Sequence, residues 1–517
     1  LTGVDATKLN LSHPALSVKE RPWQAPHRRA YYQLKGLSPP IDFKVHNSSI
    51  VNLVRGFTTR VLLYKGVQPV QPLQGLYGRR LATFRRLLLR GFRSTTPMSR
   101  QDFVGYYRGR KATIYQQAVD SLLIRGITET DSHIKAFVKA EFINFTAKPD
   151  PDPRIIQPRD PRYNVEVGRY LRPIEERIYA QIAAVFGEKT VFKGFNSGQM
   201  GREFRRKWDS YRSPCAIGLD ASRFDQHVSV DALKWEHSVY NAIYDSAELR
   251  KLLRWQLENT GRAVARDGSL NYKVSGCRMS GDMNTALGNC LLMCALVHSY
   301  AQMKRVKISL ANNGDDCVVI MEKRDADWFQ RGLSDWFVEM GFQMKVEPRV
   351  DDFERIEFCQ THPIFDGSEW LMVRNFPQSL AKDVLSLVPI SHPYPFQQWV
   401  SAVGLGGLSL TGGIPIYQSF YLSYLRGALK MGNVRRRKRK EANDPFELKG
   451  GLAWLSRGME RKVSTISQEA RYSFYLAFGV TPDHQEELER YYDSIDVTFN
   501  LDVEGRHSFL PSWFKGW

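Results

Sequence analysis

The sequence predicts an α+β protein built round a split βαβ unit, and three observations predict it. From residue 215 to 345 the pattern reads strand, helix, helix, strand, strand, helix, strand, with a hairpin inserted after the first helix; without that insertion it approaches the split βαβ layout. The two middle strands are β-prone apolar runs, Val306 to Leu310 and Cys317 to Ile320, on either side of a Gly-Asp turn. Beyond about Phe376 the pattern is mostly helical to the end. At 517 residues the chain is too long for one simple core, so two or three subdomains are expected.

Taken in order, residues 1 to 45 read as an extended arm with loops, prolines clustering at Pro22 and Pro39-Pro40. A helix is predicted over Ser48 to Leu63, capped by Asn47 or Ser48. Residues 80 to 130 are helical and strongly basic, as either a solvated face or a wall for a phosphate backbone. A strand at Phe137 to Glu141 leads into Lys148 to Arg159, where prolines stiffen a loop carrying cations. Cations held this rigidly suit a phosphate channel, because little entropy remains to be lost on binding; a basic surface loop is the equal alternative.

A short apolar strand then ends in Asp220, with Asp225 five residues on. Helices follow at Ser229 to Tyr244 and Ser246 to Asn259, then a hairpin at 260 to 278 turning at Asp267-Gly268. Ser280-Gly281 opens a helix to Tyr300. After the Gly-Asp-Asp hairpin, Phe329, Leu333, Trp336, Phe337 and Met340 mark one face of an amphipathic helix ending near Gly341. A strand from Gln343 to Glu347 carries Lys345, and Ile356 to Cys359 with Trp370 to Val373 form a second hairpin. The helical remainder is interrupted by a Gly-rich piece at 404 to 413 and by the basic run Arg435 to Lys440, which reads as an exposed loop.

The net charge of +19 and a pI near 9.6 favour polyanionic partners, nucleic acid or an anionic membrane surface. Six cysteines without CxxC spacing point to a reducing compartment. Cys290, Cys294 and His298 share a helical face, but they lie in an apolar run and read as core rather than as a zinc site. No apolar segment approaches the ~20 residues of a membrane span, and no signal peptide is visible. A start at Leu1 suggests a fragment, a processed product or the continuation of an upstream frame.

Adjacent carboxylates such as Asp315 and Asp316 repel, and at a turn tip they call for a cation. Hard carboxylate oxygens suit Mg²⁺ or Mn²⁺. In a split βαβ sheet the end of the first strand, Asp220, can lie beside that tip, so three carboxylates would converge. Such a set can hold two divalent ions for in-line phosphoryl transfer. Thr285 and Asn289, at i and i+4, share a helix face, with Ser280 on the loop leading in. These groups and Asp225 are suited to gripping a ribose hydroxyl. Helix capping and core satisfaction are their plainer roles.

The series D-x4-D at Asp220/Asp225, S-G-x3-T-x3-N from Ser280 to Asn289, and Gly314-Asp315-Asp316 resembles motifs A, B and C of viral RNA-dependent RNA polymerases. The resemblance extends to motif F at Lys148 to Arg159, motif D around Lys345 and motif E around Phe358-Cys359-Gln360. Val45 to Gly56 and Gly218 to His227 look like the polymerases of Tombusviridae plant viruses (carmovirus- and dianthovirus-like) and their umbravirus and luteovirus relatives. The resemblance covers roughly residues 40 to 400.

What it implies is a closed right hand with a ferredoxin-like palm sheet, a mostly helical thumb and finger-to-thumb extensions. The arm and fingers would span 1–190, with a fingers insertion at 230–275. The palm would take 191–229 and 276–375, and the thumb 376–517. Asp220 and Asp315 would ligate two Mg²⁺ ions, Asp316 assisting. Asp225, Ser280, Thr285 and Asn289 would select ribonucleotides. Lys139, Lys148, Arg154 and Arg159 would line the nucleotide entry channel, and Lys345 would protonate pyrophosphate. Partners would be RNA template, nascent RNA and ribonucleoside triphosphates, with primer-independent initiation. Readthrough or frameshift from an upstream viral replication protein is implied too. Work would take place in host cytoplasm, in membrane-associated complexes anchored outside this chain. A reverse transcriptase and a non-catalytic RNA-binding or packaging protein are the alternatives.

Overall fold

The computed structural model describes residues 1–10, 12–434, 452, 455–499 and 510–517. At its centre is a four-stranded antiparallel sheet in the order Ser309–Asn313, Asp316–Glu322, Pro214–Ser222, Gln343–Val346. By chain order that is second, third, first, fourth, the split βαβ arrangement. Side chains alternate between its faces. Cys215, Ile217, Leu219, Val319 and Met321 enter the largest core, together with the helix Thr285–Lys304. That helix is apolar on nearly every side and almost wholly buried, as a helix without a polar face must be. Cys290 and Cys294 are buried in the same core, and His298 packs on the rings of Phe84 and Phe186. The other face carries Ala216, Val318 and Ile320 onto Phe204, Trp208 and Phe358.

A second, five-stranded sheet runs Leu16–Glu20, Gly268–Ser275, Glu258–Ala265, Ile134–Val138, Ile155–Ile156. One pair in it, Ile134–Val138 with Glu258–Ala265, is parallel. The arm therefore contributes a strand. It also ties distant parts together, because Tyr31, Leu37, Phe43 and Val45 share a core with the C-terminal helices. Tyr491 fixes the contact by donating its hydroxyl to the Gly36 carbonyl at 2.5 Å.

Several boundaries differ from expectation for local reasons. The first helix, Ile50–Phe57, is capped by Ser49, whose hydroxyl accepts from the Asn52 amide, and continues as a π-turn over Thr58–Leu62. The helix expected to reach Asn259 stops at Arg254 and yields to the strand Glu258–Ala265. The helix expected from Ser280 starts at Thr285, whose hydroxyl is taken by the Met279 carbonyl at 2.7 Å. The amphipathic stretch is two helices, Lys323–Gln330 and Leu333–Glu339, broken at Gly332 with φ +78°. Its five marked side chains are nonetheless all buried in the main core. The second hairpin pairs Thr361–Phe365, rather than Ile356 to Cys359, with Trp370–Arg374. The basic run at 435 to 440 lies outside the described residues.

The Gly-rich piece interrupts the helical run only at its end: the helix Pro393–Thr411 takes in its first part, and Gly412 and Gly413 (φ +85°) break it before the next helix begins at Tyr417. Its glycines let the helix Tyr417–Lys430 approach closely. A Cβ at Gly407 would lie 2.2 Å from the ring of Tyr421, which is pinned by a 2.5 Å hydrogen bond to Asp383. Gly407→Ala is therefore expected to destabilise the fold by about 2 kcal/mol, although alanine favours a helix by about 1 kcal/mol. A rise in melting temperature would contradict this packing.

Candidate active site

The acidic residues sit where the apolar face of the central sheet ends. In the antiparallel register Asp220 lies opposite Asp316 on one side and opposite Lys345 on the other. Cross-strand partners share a face, so these three form one row, continuing the face that carries Ala216 and Val318. Asp315 stands at the hairpin tip. Gly314 precedes it with φ +67°, the left-handed conformation that a two-residue hairpin turn demands there.

Asp220 and Asp315 open onto a cavity of about 410 Å³. Asp315 reaches water yet is ringed by protein, so desolvation, and then the charge of Asp220, raises its pKa. Asp316 behaves differently. Its Oδ2 accepts the Cys359 amide at 2.8 Å, while burial and the charge of Asp315 push its pKa up to about 6. Cys359 and Gln360 both take positive φ, +51° and +57°, which shapes this loop beneath the hairpin. Among the described residues no three His, Cys, Asp or Glu side chains form a ready metal cage. Of the three carboxylates expected together, Asp220 and Asp315 line the cavity, while Asp316, opposite Asp220 in the register, gives one oxygen to the Cys359 amide. Two like-charged hard-oxygen donors suit a divalent ion that completes its shell with water and substrate phosphates.

Arginines line the cavity beside these acids. Arg60, on the π-turn, donates to the Asp152 carbonyl, and burial beside Arg223 and Arg154 lowers its pKa to about 9. Arg223, left-handed at φ +49°, pairs with Asp152 at 2.7 Å. Its Nη1 is buried and, among the described residues, has no hydrogen-bond partner. Neither arginine stands out in the sequence: Arg223 lies between Asp220 and Asp225 without a spacing that marks it, and Arg60 reads as one more helical cation.

The remaining candidates separate. Asp225, Ser280 and Asn289 line the cavity. Asp225 is desolvated, which raises its pKa, and its Oδ1 accepts the Asn289 amide at 3.0 Å. The Ser280 hydroxyl accepts the Gln157 amide at 3.2 Å. Thr285 is not among the lining residues and caps its own loop. Arg154 lines this cavity, and Lys148 lines a neighbouring one of about 530 Å³ that Asp220 also borders. Lys139 borders neither and pairs with Glu141 at 3.1 Å. Lys345 is exposed and lies 3.6 Å from Glu347.

Arg159 requires correction. Its side chain is 1% exposed and is spent on Asp282 at 2.6 Å, on Asn259 and on the Ser132 carbonyl, so it lines no channel. Burial of so large a cation holds only with such partners.

Comparison with known proteins agrees with this geometry. Residues 16–500 match the family model described as viral RNA dependent RNA polymerase. The chain is 45% identical over 485 residues to the RNA-directed RNA polymerase of Turnip crinkle virus, covering 93% of this chain and 62% of that protein. It is 46% identical over 492 residues to that of Tobacco necrosis virus (strain A), covering 93% and 67%. For Melon necrotic spot virus the figures are 44% over 510 residues, 97% and 63%. The chain thus spans about three fifths to two thirds of the length of these curated relatives.

Proposed function

The chain belongs to the viral RNA-dependent RNA polymerase family, and from that premise we propose that it extends an RNA 3′ end with ribonucleotides on an RNA template. The observation that carries the reading is the strand register that sets Asp220 beside the Asp315-Asp316 hairpin, facing a cavity walled by Arg60, Arg154 and Arg223. Nucleotidyl transfer needs negative charge where metal must sit and positive charge where triphosphate must lie.

Asp220 and Asp315 would hold Mg²⁺, or Mn²⁺, with Asp316 bracing the hairpin through Cys359. When bound, the metal supplies activation of the attacking 3′ oxygen and stabilisation of the leaving pyrophosphate. The chain's own side chains do the positioning. Asp225, with Ser280 and Asn289, would receive the ribose hydroxyls, and Thr285 supports the Ser280 loop. Arg154 and Lys148 would guide triphosphate inward, with Arg60 and Arg223 added to that set; the free Nη1 of Arg223 favours a phosphate oxygen as partner. Lys345, in the acidic row, remains the candidate acid for pyrophosphate.

The split βαβ sheet would be the palm and the five-stranded sheet part of the fingers. The C-terminal helices would be the thumb, bridged to the fingers by the arm through Tyr31 and Leu37. Primer-independent initiation, replication of a plus-strand genome, an upstream viral replication protein as partner and work in membrane-associated complexes of the host cytoplasm complete the proposal. No helix among the described residues is long and apolar enough to cross a membrane.

The test is template-directed incorporation on RNA, with ribo- and deoxynucleotides in parallel. Magnesium-dependent ribonucleotide incorporation that EDTA stops is expected. Preference for deoxynucleotides would favour a reverse transcriptase, and salt-sensitive RNA binding without incorporation would favour a packaging protein.

A further inference from the structure

Beside Asp225 and Asn289 lies an ion pair whose side chains are almost wholly buried, although residue 278 itself borders the same cavity. Arg278 and Glu236 are 1% and 0% exposed, and Arg278 Nη2 donates to Glu236 Oε1. Taking two charges out of water costs several kcal/mol per ion unless every donor and acceptor is used. Here the spare valences are used: Glu236 Oε2 also accepts from Asn284 at 2.8 Å and from the Tyr240 hydroxyl at 2.9 Å. The Nε of Arg278 donates to Asn289 Oδ1 at 2.9 Å.

That last bond has a consequence for the cavity. A guanidinium has donors only, so the amide of Asn289 must present oxygen to Arg278 and therefore nitrogen to Asp225. Its Nδ2 occupies Asp225 Oδ1 at 3.0 Å, which leaves the second oxygen of that carboxylate as the acceptor for an incoming hydroxyl. Without Arg278 the amide is free to turn, and the carboxylate loses its anchor.

Helix Thr285–Lys304 comes close enough for this only because residue 288 is glycine. A Cβ there would stand 2.3 Å from Arg278 Nη2 and 2.6 Å from both Glu236 oxygens. Gly288 thus admits the pair, and Asn289 beside it reads it out.

We propose that the Arg278–Glu236 pair is the positioning element for ribose discrimination, acting through the Asn289 amide on Asp225. This rests on the reading of the chain as a ribonucleotide polymerase. The measurement is the ratio of kcat/KM for ATP to that for dATP on an RNA template, with melting temperature recorded alongside. Arg278→Lys keeps a cation for Glu236 but not the fork that also reaches Asn289, and is expected to lower the ratio about tenfold. Gly288→Ala, which keeps both residues of the pair but displaces their side chains, should lower it similarly. In an Asn289→Ala background, Arg278→Lys should change the ratio less than about twofold. A ratio unmoved by both single variants, or failure of both to fold, would reduce the pair to a structural brace. A wild-type protein that incorporates no nucleotide would instead remove the polymerase reading on which the inference stands.

Discussion

Replacing Asp315 by alanine is expected to cut template-directed incorporation on the order of 10³-fold while RNA binding persists. The carboxylate faces the cavity with Asp220, and among the described residues no side chain donates a hydrogen bond to it, although the charges of Arg154 and Lys193 reach it. Removing it deletes one of the two donors that a divalent ion would grip. Asp316→Ala is expected to be milder, about tenfold, because that carboxylate spends Oδ2 on the Cys359 amide. The comparison is made by single-turnover incorporation at saturating Mg²⁺, with RNA binding measured in parallel. Equal losses in the two variants would mean that Asp316 turns to the metal during the reaction. Full activity in Asp315→Ala would end the assignment of this cavity to nucleotidyl transfer.

Much of this centre was legible because it obeys two short rules. Strand periodicity of two, with a Gly-Asp turn, specifies the hairpin, and the split βαβ order then brings Asp220 to its side. The helical period of 3.6 likewise marks which face of the 329–340 stretch is buried, although the break at Gly332 is hidden inside it. What stayed illegible depends on partners remote in sequence. Whether Asp316 faces metal or backbone is decided by Cys359, 43 residues on. Gly288 and Gly407 look like weak helix positions until the groups pressed against them, Arg278 and Tyr421, are known. Glu236 and Arg278 lie 42 residues apart with no spacing that announces a pair.

Arg154 and Arg159 show the same limit at five residues' distance, and they carry the second large prediction. Both belong to the Pro-stiffened cationic loop, and sequence alone treats them alike. Arg154 is half-exposed, borders the cavity and, among the described residues, pairs only with Glu141 at 3.2 Å, so its loss leaves stability nearly unchanged. Arg154→Ala is expected to raise the KM for nucleotide about tenfold, the worth of one charge-assisted phosphate contact. Arg159 instead bridges three segments, through Asp282, Asn259 and the Ser132 carbonyl, with Asp282 itself buried beside Met283 and Asn284 at the mouth of the core helix. Removing the guanidinium strands the Asp282 carboxylate in the interior, so Arg159→Ala should cost about 3–5 kcal/mol of stability. Chemical denaturation separates the two: a lowered midpoint for Arg159→Ala and an unchanged one for Arg154→Ala. Were Arg159→Ala to keep the wild-type midpoint and raise only KM, Arg159 would belong to the channel after all, and its buried pairing with Asp282 would have to open when nucleotide enters.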